Sequence, residues 1–447
     1  MKKIARLRGM QDISPIETNK INFVENSFNE ISKSFGYQEV RFPIIESTDL
    51  FKRSVGDQTD IVNKEMFTFE SKSGKSLTLR PEGTAGCMRM AIEMGLLDAG
   101  QQRLSYKGPM FRYERPQKGR TRQFQQLSLE AYGFNDCAID LEMLEISNLL
   151  FERLSVKKKM TLEINSIGSQ NDQQEYSKKL KDYFSKYKKE LDEDSLKRLE
   201  KNPLRILDSK NQELENLIKG APKINQSISK ESQENFTLLK RYLSDLKIEY
   251  QENPRLVRGL DYYNDLVFEW KSNSIGSQDT ICGGGRYDKL LSLYGAVTEV
   301  PACGFGFGDC VIVELLKDKG LLPNIPKSVE FVVAAFNESM QGKAMKTASL
   351  IRAGGAEVDM LLEPKKKVAN TFDYANRVGA RYIVFVAPQE WENDMVRIKD
   401  LRADYTDKDE EKQIDVKISD LGRALEVLRA HEASVGAANK MGSMTVS

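Results

Sequence analysis

The sequence predicts an α+β domain built on an antiparallel sheet flanked by helices, interrupted by a helical insertion and followed by a separate small α/β domain. Three observations predict it. Between residues 37 and 134, β-type segments succeed one another through turns, with helical segments before and after them. Near residue 165 the composition turns polar and lysine-rich, as in "SKKLKDYFSKYKKELDEDSLKRLEKN". After "KGLLPNIP", short apolar strands alternate with helices, the mark of an independent α/β unit. The expected bounds are 1–165 with 251–322 for the first domain, 166–250 for the insertion, 329–430 for the last domain and 431–447 for a disordered tail.

The elements follow in order. Ile21, Val24, Phe28, Ile31 and Phe35 recur at spacings of three and four, one apolar helix face that Gly36 stops. "YQEVRFPIIES" reads as a strand broken by Pro43, which suits an edge or an interface because proline cannot donate to a ladder. "KEMFTFES", "SLTLRPEG" and "RLSYKGPMFRYE" are further strands. In "TRQFQQLSLEAYGF", Phe124, Gln126, Ser128, Glu130 and Tyr132 share one face of the pleat. "DLEMLEISNLLFERL" is a helix laid against the sheet, and strands return at "LVRGLDYYNDLVFEW", "TICGGGRYD" and "ACGFGFGD". In the last domain "VEFVVAAF", a helix over 339–352, "AEVDMLL", a helix near 366–378, "RYIVFVAP" and "MVRIKDL" alternate.

Composition narrows the function classes. A chain of 447 residues favours two or three domains. Its 67 basic and 66 acidic residues leave a net charge of +1, so a polyanion must be met by local patches. Five scattered cysteines without a CxxC pair read as reduced thiols of a cytoplasmic protein. No apolar run spans a bilayer, and no cleavable signal follows "MKKIARLRGMQD". The single histidine, His431, excludes a His-based triad and a His-rich metal site, and no metal ligands are expected. GxxxxGK[ST] is missing, which rules out a P-loop.

Four stretches carry chemistry. "RYERPQKGRTRQFQQ" crowds Arg112, Arg115, Lys118, Arg120 and Arg122 against one acid, Glu114. A guanidinium is a rigid fork that meets phosphate oxygens two at a time. Several on one hairpin could hold a bent triphosphate, with an adenine between Phe124 and a guanidinium; a surface ion-pair network accounts for the same residues. "RGLDYY" sets Arg258 and Asp261 beside Tyr262 and Tyr263, either as a structural cation–π pair or as an electrophile aimed at developing charge. "LRPEGTA" places Glu82 and Thr84 at a strand end, where a plain turn is the simpler reading. "CGGGRY" and "GFGFG" do not fit GxGxxG and read as tight sheet turns, although glycine would also let a ligand approach the backbone.

Together these stretches resemble the histidyl-tRNA synthetases, a family of class II aminoacyl-tRNA synthetases, over nearly the whole chain. "EVRFPIIES" is similar to the family's motif 1, whose proline lies at a dimer interface, and "GPMFRYERPQKGRTRQFQQ" to motif 2. "RGLDYYNDLVFEW" resembles its histidine-binding signature, "NPLRILDSK" its insertion domain, and the C-terminal segment its anticodon-binding domain. The resemblance implies activation of histidine by ATP, with Mg²⁺, to histidyl-adenylate and pyrophosphate, then transfer of histidine to the 3′ end of tRNA(His) by a cytoplasmic homodimer.

The implied roles are these. Arg112 clamps the α-phosphate and the substrate carboxylate, Arg120 acts at the ATP site with Arg122 in support, and Phe124 stacks the base. Glu82, Thr84, Gln126, Glu130, Tyr262 and Tyr263 hold the histidine. Arg258 stabilises charge at the α-phosphate, and Arg115 and Gln117 meet the tRNA acceptor end. Two departures stand out. "FQQ" replaces the frequent "FHQ", with Gln125 on the opposite pleat face from Gln126. In "GFGFGDCVIVELL", Asp309 and Cys310 stand where motif 3 has an acid and an arginine. A histidine-sensing regulatory subunit of ATP-phosphoribosyltransferase is the alternative from the same fold, and an RNA-binding module without chemistry is a third reading.

Overall fold

Alternation along two strands decides where the core ends and the site begins. In β6 (Gln123–Tyr132) and β11 (Ala302–Gly308), which pair antiparallel, Leu127, Leu129, Phe305 and Phe307 are buried in one apolar cluster. The intervening Gln126, Ser128 and Glu130 stand across from Gly308, Gly306 and Gly304 on the other face. One face of the pleat is thus core, and the other is a polar floor lined by bare backbone.

The computed structural model describes residues 4–56, 59, 61–117, 119–209, 211–224, 227–260, 262–273, 280–294, 299–322, 329–364, 367–402 and 413–430. Residue contacts divide the chain into two compact units, Met1–Pro323 and Asn324–Ser447. The expected tail 431–447, the "PNIP" linker, Lys118 and Asp261 lie outside the described residues.

The first unit opens with α1 (Pro15–Ser34). Ser14 caps it by accepting from the Glu17 N–H, worth about 1 kcal/mol. Its buried face is Ile21, Val24, Phe28 and Ile31, and Phe35 caps the C-terminal end before Gly36 turns the chain at φ 81°. The stretch around Pro43 is not one broken strand. It forms β1 (Gln38–Glu39) and β2 (Ile45–Ser47), which belong to different sheets. The Phe42 carbonyl between them accepts from the Arg80 guanidinium at 3.0 Å, and Pro43 has no N–H to continue a ladder.

α2 (Thr48–Val55), β3 (Phe67–Glu70), β4 (Ser76–Leu79) and α3 (Thr84–Glu93) follow, and β2–β4–β3 make a small sheet of their own. Those strands were expected in the main sheet. That sheet instead takes β5 (Gln102–Phe111), β6, β7 (Thr161–Ser166), β8 (Gln251–Glu252), β9 (Asn264–Lys271), β10 (Thr280–Arg286) and β11, in the order β1-β5-β6-β11-β10-β9-β7-β8. All its pairings are antiparallel except the edge pairs β1–β5 and β7–β8. α4 (Ala138–Arg153), α1 and α9 (Asp309–Asp318) cover its apolar face.

The polar segment after β7 forms α5 (Gln170–Ser185), α6 (Glu193–Lys201), α7 (Glu215–Gly220) and α8 (Lys230–Asp245). Leu239 and Leu243 of α8 join the same core as α1 and α4, whereas Tyr176, Leu180 and Phe184 of α5 join a second cluster.

The second unit has its own cores. β12 (Phe331–Ala335), α10 (Gln341–Ala353), β13 (Val358–Met360), α11 (Val368–Val378), β14 (Tyr382–Val386), α12 (Pro388–Glu392), β15 (Met395–Asp400) and β16 (Gln413–Lys417) alternate as expected. The sheet order is β13-β12-β14-β15-β16, with a helix over 421–430 at the end.

Candidate active site

A cavity of about 550 Å³ opens over the polar face of the main sheet. Its floor needs glycine. A Cβ at Gly304 would stand 2.1 Å from the Glu130 Oε2, and one at Gly283 would stand 2.5 Å from the Arg258 Cζ. "CGGGRY" and "GFGFG" therefore run through strand interiors, not tight turns, and their bare backbone is what the side chains lie upon.

Glu130 sits at the bottom, 1% exposed. Thr84 Oγ1 and the Tyr106 hydroxyl each donate to its Oε1 at 2.9 Å, and the Tyr287 hydroxyl donates to its Oε2. Burial pushes its pKa up to about 8, against the pull of those donors. Glu82 accepts from the N–H groups of Thr84 at 2.7 Å and Ala85 at 3.0 Å, so the first turn of α3 fixes it at the cavity wall. Burial raises the Glu82 pKa as well. Gln126 donates to Ser128 Oγ at 2.9 Å, and Tyr262 and Tyr263 pack on each other and on Tyr287. The result is a polar recess with a ring-lined side.

The β5–β6 hairpin supplies the cations. Arg112 Nε donates to the Pro81 carbonyl at 2.8 Å, and its guanidinium lies 5.3 Å from the centre of the Phe124 ring. Arg120 lines the cavity and pairs with Glu114 at 3.1 Å. Arg122 is not brought in: its guanidinium stacks on Tyr113 at 3.6 Å and donates to the Arg8 and Glu114 carbonyls. Arg115 and Gln117 are exposed on the hairpin outside this cavity. From the other side Arg258 enters, pairing with the Glu269 carboxylate. Burial works against its charge, yet the neighbouring Glu269 more than offsets that, so its pKa stands above the ordinary arginine value.

At the start of α9, Cys310 and Val311 face the cavity. Asp309 is 0% exposed and accepts from the Cys310 N–H at 2.6 Å, and burial lifts its pKa to about 6. That turn offers no cation. The cations lining the cavity among the described residues are Arg112, Arg120, Arg258 and Lys271, facing the carboxylates of Glu82, Glu114 and Glu269. On the hairpin side, Arg112 and Arg120 face the single acid Glu114, which suits that end to an anion. No cluster of three or more His, Cys, Asp or Glu among the described residues could hold a metal ion.

Tyr106, Tyr287, Glu269, Thr280 and Lys271 were not singled out in the sequence. Their only signal is that Glu269 and Lys271 share a strand face, which the neighbouring "RGLDYY" overshadowed.

A family model for histidyl-tRNA synthetase matches residues 9–308, and one for an anticodon binding domain matches residues 330–428. The chain is 44% identical over 403 residues to a histidine–tRNA ligase of Legionella pneumophila, covering 90% of this chain and 94% of that one. It is also 44% identical over 406 residues to one of Francisella philomiragia, covering 90% and 95%. The solved apo histidyl-tRNA synthetase of S. aureus aligns with a TM-score of 0.78 at 31% identity, covering 94% of this chain and 99% of that one. An ATP phosphoribosyltransferase regulatory subunit/histidyl-tRNA synthetase of Bacillus halodurans shares the fold, with a TM-score of 0.61 at 21% identity over 86% of this chain and 98% of that one.

Proposed function

The chain belongs to the histidyl-tRNA synthetase family, and on that premise we propose that it activates histidine with ATP and joins it to the 3′ end of tRNA(His). The observation that carries the reading is the meeting, in one cavity, of a polar, tyrosine-lined recess with three arginines from two directions.

Glu130 and the tyrosine hydroxyls face the imidazole, which has one donor and one acceptor, while Glu82, Thr84 and Gln126 hold the α-amino group. Phe124 and Arg112 give the adenine a platform. In the first step a histidine carboxylate oxygen attacks the α-phosphorus, the bond to the β-phosphate oxygen breaks, and pyrophosphate leaves. Arg112 and Arg258 stabilise the charge that develops on the α-phosphoryl oxygens. In the second step a ribose hydroxyl of the tRNA attacks the acyl carbon and AMP leaves.

Neither step needs a nucleophile from the protein, so positioning and fixed charge suffice. Mg²⁺ brought in with ATP would neutralise part of its tail. With no cation on the first turn of α9, Arg112, Arg120 and Arg258 carry the rest of the phosphate charge. Arg115 and Gln117, both exposed, are the residues we assign to the acceptor end.

Ile44, Ile45 and Phe69 are 41%, 48% and 42% exposed around the small β2–β4–β3 sheet, which supports a homodimer formed through it. No described helix is long and apolar enough to cross a membrane, and the free cysteines suit the cytoplasm. The second unit, with its anticodon-binding match, weighs against a purely histidine-sensing regulatory subunit.

ATP–pyrophosphate exchange tests the reading: histidine should support it and the other standard amino acids should not. A site built to hydrogen-bond its substrate rejects analogues lacking those groups by ~10⁴ or more. Histidine binding without exchange would favour the sensor.

A further inference from the structure

We propose that Glu269 is the positioning residue for Arg258, fixing that guanidinium for the phosphoryl-transfer step. The inference rests on Arg258 acting at the α-phosphate, as proposed above. A carboxylate on the wall of a site that takes a polyanion is unfavourable unless it serves a cation there, and Glu269 has one oxygen for that purpose. Its Oε1 accepts from Arg258 Nη1, and its Oε2 accepts from Thr280 Oγ1 at 2.9 Å with Lys271 Nζ at 3.5 Å.

Lys271 is tied further to Glu163 Oε2 at 3.0 Å, and that same oxygen accepts from Asn253 Nδ2 at 2.7 Å. Asn253 precedes the loop that carries Arg258, so the chain of contacts ties that loop to β7 and β9. The backbone of β10 closes the other side, since any Cβ at Gly283 would meet the guanidinium. Arg258 Nε is buried and finds no acceptor among the described residues, an unmet donor on a side chain that lines the cavity.

Without Glu269 the guanidinium keeps its charge and loses its place. A flexible arginine must then be ordered during the reaction, and a misplacement near 1 Å costs ~10²-fold in rate. The test compares full-length wild type, Arg258→Ala, Glu269→Ala and the double variant in single-turnover formation of histidyl-adenylate, with histidine affinity measured alongside. Glu269→Ala should slow adenylation by ~10²-fold while histidine affinity stays nearly unchanged. The double variant should be no slower than Arg258→Ala alone, because Glu269 acts only through Arg258.

Glu269→Gln, whose amide oxygen still accepts from Arg258, should recover part of the rate and serves in place of Glu269→Ala if that variant unfolds. Additive losses would overturn the inference, as would a loss of histidine affinity matching the loss of rate, which would make Glu269 a substrate ligand. A wild-type rate in Glu269→Ala would overturn it too. A wild-type protein without histidine-dependent adenylation would instead sink the underlying reading.

Discussion

Arg258 and Arg122 are both arginines of a motif, yet one points into the cavity and the other stacks on Tyr113 outside it. Charge density along the chain could not separate them, because what each guanidinium meets is set by tertiary contacts: Arg122 on the β5–β6 hairpin meets Tyr113, and Arg258 on the loop before β9 meets Glu269. Arg258→Ala should cut adenylation by ~10²–10³, the usual loss for a donor acting on developing charge. Arg258→Lys should restore only part of it, an ammonium having no fork. Single-turnover adenylation checks this, and an unchanged rate in Arg258→Ala would contradict it.

Glu130 gives a pH prediction. Its pKa rises from 4.5 to about 8 in the folded protein. Between those values the folded state holds a proton that the unfolded chain has released. The stability it contributes is thus full below the unfolded value and lost as pH rises through the folded one. Glu130→Gln mimics the neutral form and should flatten that fall. Denaturant unfolding at about pH 6 and about pH 9 measures it, and equal losses in both proteins would contradict the assignment.

Elements show what a sequence carries and what it conceals. The alternation in "QFQQLSLEAY" placed Gln126 and Glu130 on one face, because a strand's period is fixed by its geometry. Tyr287 reaches Glu130 across 157 residues of sequence, through strand pairings no local pattern announces. The glycines of β10 and β11 misread as turns because local preference cannot show that the opposing strand fills the space a Cβ would need. Gly304→Ala tests that point. It should destabilise by ~1–3 kcal/mol through overpacking and weaken histidine binding by displacing Glu130. Unchanged values for both, from denaturant midpoint and titration, would contradict the account of the floor. Pro43 was legible as a break, but no local pattern shows that β1 and β2 join separate sheets or that the Phe42 carbonyl between them is met by the distant Arg80.

The whole molecule divides into two units, Met1–Pro323 and Asn324–Ser447, with separate cores, and the sequence signal for a second unit is the change from antiparallel to alternating β and α after the linker. An independent core implies independent folding, so removing residues from Val329 onward should spare adenylation and abolish most charging of tRNA. Normal charging by the truncated protein would contradict the role proposed for the second unit. Dimerisation through the small β2–β4–β3 sheet is testable by sedimentation at micromolar concentration, where the account expects a homodimer and a monomer would contradict it. The central claim, that one chain joins activation to transfer, is tested most directly by incubating the full-length protein with ATP, Mg²⁺, labelled histidine and tRNA(His). The account predicts histidine esterified to the 3′ end, in an amount that depends on ATP. Folded protein that binds histidine yet leaves the tRNA uncharged would contradict it.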